Sequence, residues 1–368
     1  MTDQNSCAIV LTEVEAFGGA ERSCLALSHW LYKNGIANHL VAYSDAANLP
    51  RYASHPLRIV QLKPQRGAYN KISALRRYFH DHPGRPKPLM SGYQPALHGY
   101  LAGAKGYHTL MHDTPSLFSD GGTDGRLSSN LRRKFLDSLV ARGLRGGGKC
   151  IVTSEYLRRD SRAYFGVDAD IVRMGGMAHA GSFRLRPVTA ELRMLSVSRV
   201  EANKRIDWML HALATLEQAV PKLSSQINWH LDVAGKGSLM EPLRQMASEL
   251  GLADRVHLHG FVSDEQLEEL YAAAHLFLMP AVQGYGIPAT ESIYRGAPVL
   301  LHRLSGVSDI LLDTPWATVI EGDEESMAPG LAKAIESVRA GSHHAFPIPP
   351  IPTEDEWAQK VATLCGWV

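Results

Sequence analysis

Short apolar runs alternate with amphipathic stretches along this chain, most clearly in its C-terminal half. RMLSVSRV is followed by RIDWMLHALATLEQAV, INWHLDVAG by LMEPLRQMASELG, and RVHLHGFV by DEQLEELYAAA. Then come HLFLMPA with ATESIYRG, APVLLH with VSDILLD, and ATVIEG with a helical pattern near 325–340. β-rich runs separated by helical patterns predict βαβ units, hence a parallel sheet covered on both faces. In the helix after Asn203, residues Ile206, Leu210, Leu213 and Leu216 keep the i, i+3/i+4 interval of a buried stripe.

The first half repeats the theme more loosely. CAIVLTEV leads into GGAERSCLALSHWLYKNG, and HLVAYS, RIVQL, PLMSG, YHTLMHD, CIVTS and ADIVRM are mostly followed by helical stretches. The segment FRLRPVTAE (183–191) breaks the pattern and marks the expected boundary. The reading is therefore α/β throughout: one domain over 1–187, a second over 188–350, and a terminal segment over 351–368. In that segment Thr353 starts a helix near 353–365, with Glu354, Asp355 and Glu356 in its first turn.

A chain of 368 residues suits two domains, and 45% hydrophobic with 20% charged residues lets each bury a core. Cys7, Cys24, Cys150 and Cys365 form no CxxC pair, which fits a reducing compartment and argues against a zinc or redox site. The polar start MTDQNS lacks the pattern of a signal peptide, and no apolar run approaches the length of a membrane span. A cytoplasmic protein is expected. Net charge is +1, but the basic surplus lies in the first half and the acidic surplus in the second.

The basic residues gather in KISALRRYFHDHPGRPKP (71–88) and RLSSNLRRKFLDSLVARGLRGGGK (126–149). In the latter, Leu131, Phe135 and Leu139 recur at helical spacing among Arg132, Arg133, Lys134 and Arg142. Such a helix covers a core with its charged side in solvent, or it meets an anionic membrane surface peripherally. Nucleic acid is disfavoured, because aromatics do not interleave with the charge.

In open α/β sheets ligands bind beyond the carboxyl ends of the strands. PAVQGYGIPATE (280–291) occupies such a position. Gly284 and Gly286 let the backbone bend and approach a ligand, and Pro288 suits the first position of a helix whose N–H groups attract an anion. Glu291, placed in the first turn, either caps that helix or accepts the vicinal hydroxyls of a ribose.

Other strand ends carry weaker signals. GGAER (18–22) offers close approach to phosphate or a tight turn, but falls short of a dinucleotide fingerprint. In SRVEANKR (198–205), Arg199 and Lys204 either clamp a diphosphate or sit idle on the surface. AGKG (234–237) is one more glycine turn, GFV (260–262) an apolar wall for a nucleobase, and MHD (111–113) carries His112, a cleft residue or a structural one. HExxH, GxSxG, paired Asp-x-Asp clusters and a plausible Cys–His nucleophile are absent.

Taken in order, these motifs resemble the family 4 retaining glycosyltransferases, whose GT-B fold has two Rossmann-like, doubly wound parallel-sheet domains facing across a cleft. The resemblance runs nearly the length of the chain. It begins with GGAER at 18–22, MHD at 111–113, SEYLRRD at 154–160 and SRVEANKRIDWMLHAL at 198–213. It continues with DVAGKGSLMEPLR at 232–244, VHLHGFVSDEQLEELYAAAHLFLMP at 256–280 and GYGIPATESIYRGAPVL at 284–300.

The resemblance implies a hexosyltransferase that moves a sugar from a nucleotide-sugar, UDP being the default nucleoside, with the anomeric configuration retained. Arg199 and Lys204 match the residues that hold the leaving diphosphate, and His112 the first-domain histidine near the donor sugar. Gly19 matches the loop glycine whose amide meets phosphate, and Glu291 the carboxylate on the ribose. Gly18, Gly235, Phe261, Val262, Gln283, Gly284, Tyr285, Gly286 and Ile287 complete the implied donor site. No metal and no cofactor are expected, since cationic side chains and a helix dipole stabilise the leaving phosphate. The last helix is expected to cross back to the first domain, with cleft closure in turnover.

The departure is Gln283, where the family pattern has the first of two glutamates with seven residues between them. It leaves a variant with working chemistry, a slowed enzyme, or a silent nucleotide-sugar-binding subunit. GGMAHAGSF (175–183) departs from the family's Asn–Gly–Val–Asp-like turn. The expected acceptor is a glycan or lipid-linked glycan of cell-surface polysaccharide or glycoconjugate synthesis, or a small molecule.

Overall fold

The computed structural model describes residues 5–15, 17–113, 127–175, 183–219 and 222–368, with the backbone alone for 127–133. The chain divides into two compact units, Met1–Gly175 with Pro352–Val368, and Gly176–Ile351.

The first unit runs β1 (Cys7–Val10), β2 (Glu13–Val14), α1 (Gly19–Lys33), β3 (Asn38–Ala42), β4 (Ser44–Asp45), β5 (Ile59–Gln61) and α2 (Ala68–Asp81). Then follow β6 (Leu89–Ser91), α3 (Tyr93–Leu101), β7 (Tyr107–Met111), α4 (Leu127–Leu144), β8 (Gly147–Val152), α5 (Glu155–Phe165) and β9 (Asp170–Ile171). Seven strands form one sheet in the order β5-β3-β1-β6-β7-β8-β9, and each neighbouring pair is parallel. Strands β2 and β4 make a separate small pair. Val10, Val41, Met90, Met111 and Val152 form the core with Leu157 of α5.

The second unit contains β10 (Glu191–Val197), α6 (Ile206–Gln218), α7 (Leu223–Gln226), β11 (Asn228–Ala234), α8 (Met240–Glu249), β12 (Val256–Gly260) and α9 (Asp264–Ala273). It continues with β13 (Leu276–Met279), α10 (Ile287–Tyr294), β14 (Val299–His302), α11 (Ser308–Leu311), β15 (Ala317–Ile320) and α12 (Met327–Arg339). Its six-stranded sheet has the order β12-β11-β10-β13-β14-β15, again parallel throughout. The stripe of α6 does what its spacing predicts: Ile206, Leu210 and Leu213 bury against Leu192, Met194 and Leu231, with Leu216 at the margin.

The boundary segment has its own anchor. Arg186 donates to the backbone oxygens of Arg295 (2.8 Å) and Ala274 (3.0 Å), so 183–191 is tied to the second unit and the division falls ahead of it. The chain rejoins the first unit through α13 (Glu354–Leu364), which Thr353 opens with a full capping box. Arg22 pairs with Glu354 at 3.2 Å and Lys33 with Asp355 at 3.1 Å. Trp357 is fully buried and the indole of Trp367 donates to Lys87 O at 3.1 Å. Buried apolar area carries most of this docking, since exposed pairs contribute little.

All four cysteines are free and buried. Burial pushes the thiols of Cys7, Cys24 and Cys365 up to about 12, so they stay protonated. Among the described residues no helix is long and apolar enough to cross a membrane. In α4 the expected stripe is not buried along its length: Phe135 is 62% exposed and Leu139 half-buried, while Ala141 and Leu144 reach the core. The side chains of Leu131, Arg132 and Arg133 lie outside the described residues.

His108 and His343 are buried, and burial pushes both rings down to about 4 from the usual 6.5. The unfolded chain takes up these protons below 6.5 and the folded chain resists until about 4. Stability is therefore whole above 6.5 and is lost as pH falls through that interval. Melting temperature followed from about pH 7.5 to about 4.5 is expected to decline below 6.5. Replacing both residues by glutamine should make the decline shallower, and an unchanged slope would assign it to other groups.

Candidate functional site

In the second unit the strand order turns at β10 and β13, neighbours whose following loops lead to opposite sides of the sheet. The loop after β10 carries a short 3-10 turn, Ala202–Lys204, closed by Arg205 in a left-handed conformation. The Lys204 ammonium donates to the side-chain oxygen of Gln283 at 2.8 Å, joining this loop to the one after β13. Arg199 is exposed, and its guanidinium makes no hydrogen bond or ion pair among the described residues.

Gly235 explains how the neighbouring wall is built. Its φ is +140°, and a Cβ there would lie 1.8 Å from Ser198 O. Its amide already donates to Gly260 O at 2.8 Å. Glycine at 235 is thus required by loop-on-loop packing, and its N–H is not held out toward a ligand. Glu201 reinforces the contact by accepting from the Ser238 amide (3.1 Å) and hydroxyl (2.6 Å).

Across the switch point, Gly286 takes φ +116°, and a Cβ would meet Met279 Cε at 2.5 Å. Helix α10 starts at Ile287, so Pro288 is its second residue and Glu291 stands in the second turn, not the first. Glu291 therefore does not cap the helix. It is buried, its carboxylate accepts from Tyr271 Oη of α9 at 2.9 Å, and Arg295 donates to its carbonyl at 2.9 Å. Gly284 and Tyr285 are buried and Ile287 half-buried. The carbonyls of Gln283 and Tyr285 accept from the amides of Gly306 (3.0 Å) and Val307 (2.9 Å), which fixes the loop's path.

Phe261 and Val262 follow β12, separated from β10 by β11, about 10 Å across the sheet. Phe261 is 73% exposed, with the Lys236 ammonium 5.0 Å from its ring centre. The ring is an open platform more than a wall.

In the first unit, Gly18 precedes α1 and its amide donates to Glu21 Oε2 at 3.0 Å. Gly19 differs from Gly235 and Gly286: a Cβ there would meet nothing within 4 Å, and its φ is not positive. His112 follows β7, with Nε2 3.1 Å from Ser91 Oγ and 3.5 Å from Ser23 Oγ. Its Nδ1 is buried with no partner among the described residues. Burial pushes the ring down to about 4, so it is neutral at physiological pH. The sequence reading did not pick out Ser91 or Ser23. Nor did it find a pocket of about 340 Å³ beyond β3 and β5, lined by Glu13, Tyr43, Lys63, Arg66 and Lys71, in which Lys71 and Glu13 are ion-paired. Residues 176–182 of GGMAHAGSF lie outside the described residues. No group of three or more His, Cys, Asp or Glu that could hold a metal ion occurs among those described.

Two family models match successive halves of the chain: "Glycosyltransferase Family 4" over 17–174 and "Glycosyl transferases group 1" over 182–343. A GDP-mannose-dependent alpha-(1-6)-phosphatidylinositol monomannoside mannosyltransferase of Mycolicibacterium smegmatis is 31% identical over 139 residues. That match covers 36% of this chain and 35% of the relative, so the chain spans about a third of that protein's length. Among solved structures, WaaG, a glycosyltransferase involved in lipopolysaccharide biosynthesis, superposes with TM-score 0.71 at 18% identity, covering 98% of this chain and 99% of its own. Anabaena Alr3699/HepE in complex with UDP-glucose gives 0.70 at 15% identity, covering 98% and 100%. With both halves matched in order and both sheets parallel, the chain belongs to the family 4, group 1 glycosyltransferases and has their GT-B fold.

Proposed function

We propose that the chain transfers a sugar from a nucleotide-sugar to an acceptor with retention of configuration and without a metal ion. The observation that carries this reading is the Lys204–Gln283 hydrogen bond at the switch point of the second unit. It holds a cation where a diphosphate would leave, beside the N-terminus of α10 and with exposed Arg199 on the same loop. Preorganised cations and helix-end amides aimed at a leaving phosphate need no reorganisation during reaction. Glu291, fixed by Tyr271, accepts the ribose hydroxyls, and the exposed Phe261 ring offers a face for the base. UDP is the first candidate nucleoside and GDP the second, since relatives are described with each.

The acceptor belongs with the first unit. Lys63, Arg66 and Lys71 line its pocket, which suits a glycan or lipid-linked acceptor carrying an anionic group. With the basic stretches 71–88 and 126–149, this favours work at an anionic membrane surface on the cytoplasmic side, in cell-surface glycan synthesis. A soluble small-molecule acceptor is the alternative. The second reading, a catalytically silent nucleotide-sugar-binding subunit, rests on Gln283 alone.

Melting temperature against a panel of nucleoside diphosphates and nucleotide-sugars, with and without EDTA, tests the donor site. A ligand at 100 times its Kd adds about 2.7 kcal/mol, a rise of several degrees, expected for one nucleoside series and unchanged by EDTA. No rise with any of them overturns the reading. Lys204→Ala should lower kcat/KM by about 10²–10³. Gly19→Ala should leave the melting temperature unchanged, because the site has room for the methyl, yet weaken donor binding. Equal donor affinity in Gly19→Ala would remove that loop from the site. Gln283→Glu separates the two readings: wild-type chain that transfers sugar supports the enzyme, whereas turnover appearing only in the variant establishes the silent subunit.

A further inference from the structure

A cavity of about 450 Å³ lies beyond the amino ends of the first sheet, against Ala8 of β1, Pro88 just before β6 and Gly106 just before β7. Because the strands are all parallel, this edge is opposite the one that holds Ser91 and His112. Five residues of β7 alone separate the two by about 16 Å. The walls come from the second half of α2 and the segment after it, the basic stretch that the donor site leaves unused.

Six basic side chains line the cavity: Arg76, His80, His82, Arg85, Lys87 and Lys105; among the described lining residues there is no carboxylate, and outside the lining Asp81 pairs with His80 at 3.2 Å. Arg85 is held from behind. Its Nη1 amino group donates to His39 Nε2 at 2.9 Å and to Tyr78 Oη at 3.3 Å. A guanidinium only donates, so Nε2 accepts and the buried His39 carries its hydrogen on Nδ1, 2.7 Å from Ser6 Oγ. Arg76 donates to Leu101 O (3.0 Å) and Ala102 O (3.2 Å), and Lys87 to Gly147 O (2.9 Å). Carbonyls place these two cations without cancelling their charge.

A concave wall of one sign focuses potential, and the volume falls in the range of small-molecule sites. We propose that this cavity is a second anion site, taking a phosphate-bearing group whose body rests on Phe79 and the prolines of the rim. The inference stands apart from the donor reading and shares no residue with it.

The test is calorimetric titration of inorganic pyrophosphate into the full chain carrying Arg199→Ala and Lys204→Ala, which removes the donor clamp, with Lys63→Ala and Arg66→Ala, which removes the unpaired cations of the acceptor pocket. One site is expected, weakening as salt is raised. Adding Lys87→Glu and Lys105→Glu, both at exposed positions, should weaken it at least tenfold with the melting temperature unchanged, and Arg76→Gln in their place should also weaken it. Absence of binding at low salt, or binding that neither change alters, overturns the proposal. Flotation with phosphatidic acid vesicles, against phosphatidylcholine alone, identifies the source. Flotation lost in the Lys87→Glu, Lys105→Glu chain assigns the site to a lipid headgroup. Pyrophosphate binding without flotation assigns it to a soluble phosphate.

Discussion

Strand direction is the constraint on which both units depend. In an all-parallel sheet every strand delivers its following loop to one edge, and where the strand order reverses two neighbouring loops diverge and leave a crevice. In the second unit that point lies between β10 and β13. Each wall is stiffened by backbone packing: Ser198 against Gly235 on one side, Gly284 O 2.1 Å from where a Gly306 Cβ would stand on the other. Lys204 and Gln283 then reach across between two walls that are already fixed. Loop glycines here set distances, and the long side chains span them.

The glutamine has a definite electrostatic consequence. Two unit charges about 4 Å apart attract by about 4 kcal/mol at an effective dielectric constant near 20. A carboxylate at 283 would spend part of the Lys204 charge on such a pair, whereas an amide oxygen orients the ammonium without bringing a formal charge of its own. Under the proposed retaining mechanism, the same residue would also leave a developing oxocarbenium centre without a neighbouring negative charge. In the proposed transfer, stabilisation thus moves from the sugar toward the leaving group.

Much of the fold was legible because it rests on periodicity and capping. The α6 stripe and the Thr353 cap are local signals, and the structure reproduces both. What failed was non-local. A cap was one of two readings of Glu291, alongside a ribose acceptor, because Pro288 suggested where the helix begins. The positive φ of Gly286 starts it at Ile287, and Tyr271, on another helix, captures the carboxylate. Ser91 was invisible as one polar residue in an apolar strand, since only the order β1-β6-β7 brings it to His112. Glycine identity at 235 was plain but its reason was not: the room a glycine leaves for a ligand is filled there by Ser198 O, while at Gly19 it stays open. The α4 stripe misled because helical spacing fixes a face but not what the face meets, and Phe135 turns to solvent.

The two edges of the first sheet attract opposite charges for one reason. Helices between parallel strands run back against them, so their N-termini collect at the carboxyl edge and their C-termini at the amino edge. Each C-terminus carries about half a negative charge. Helices α2 and α3 both end at the basic cavity, and together they offset about one positive charge. Four permanent cations line it: Arg76, Arg85, Lys87 and Lys105. Helix ends therefore account for Arg76, which sits on the last carbonyls of α3, but not for the excess beside it. Like charges gathered in a concave pocket repel one another. The groups that hold Arg76 and Lys87 supply geometry without counter-charge. A bound phosphate supplies the missing sign.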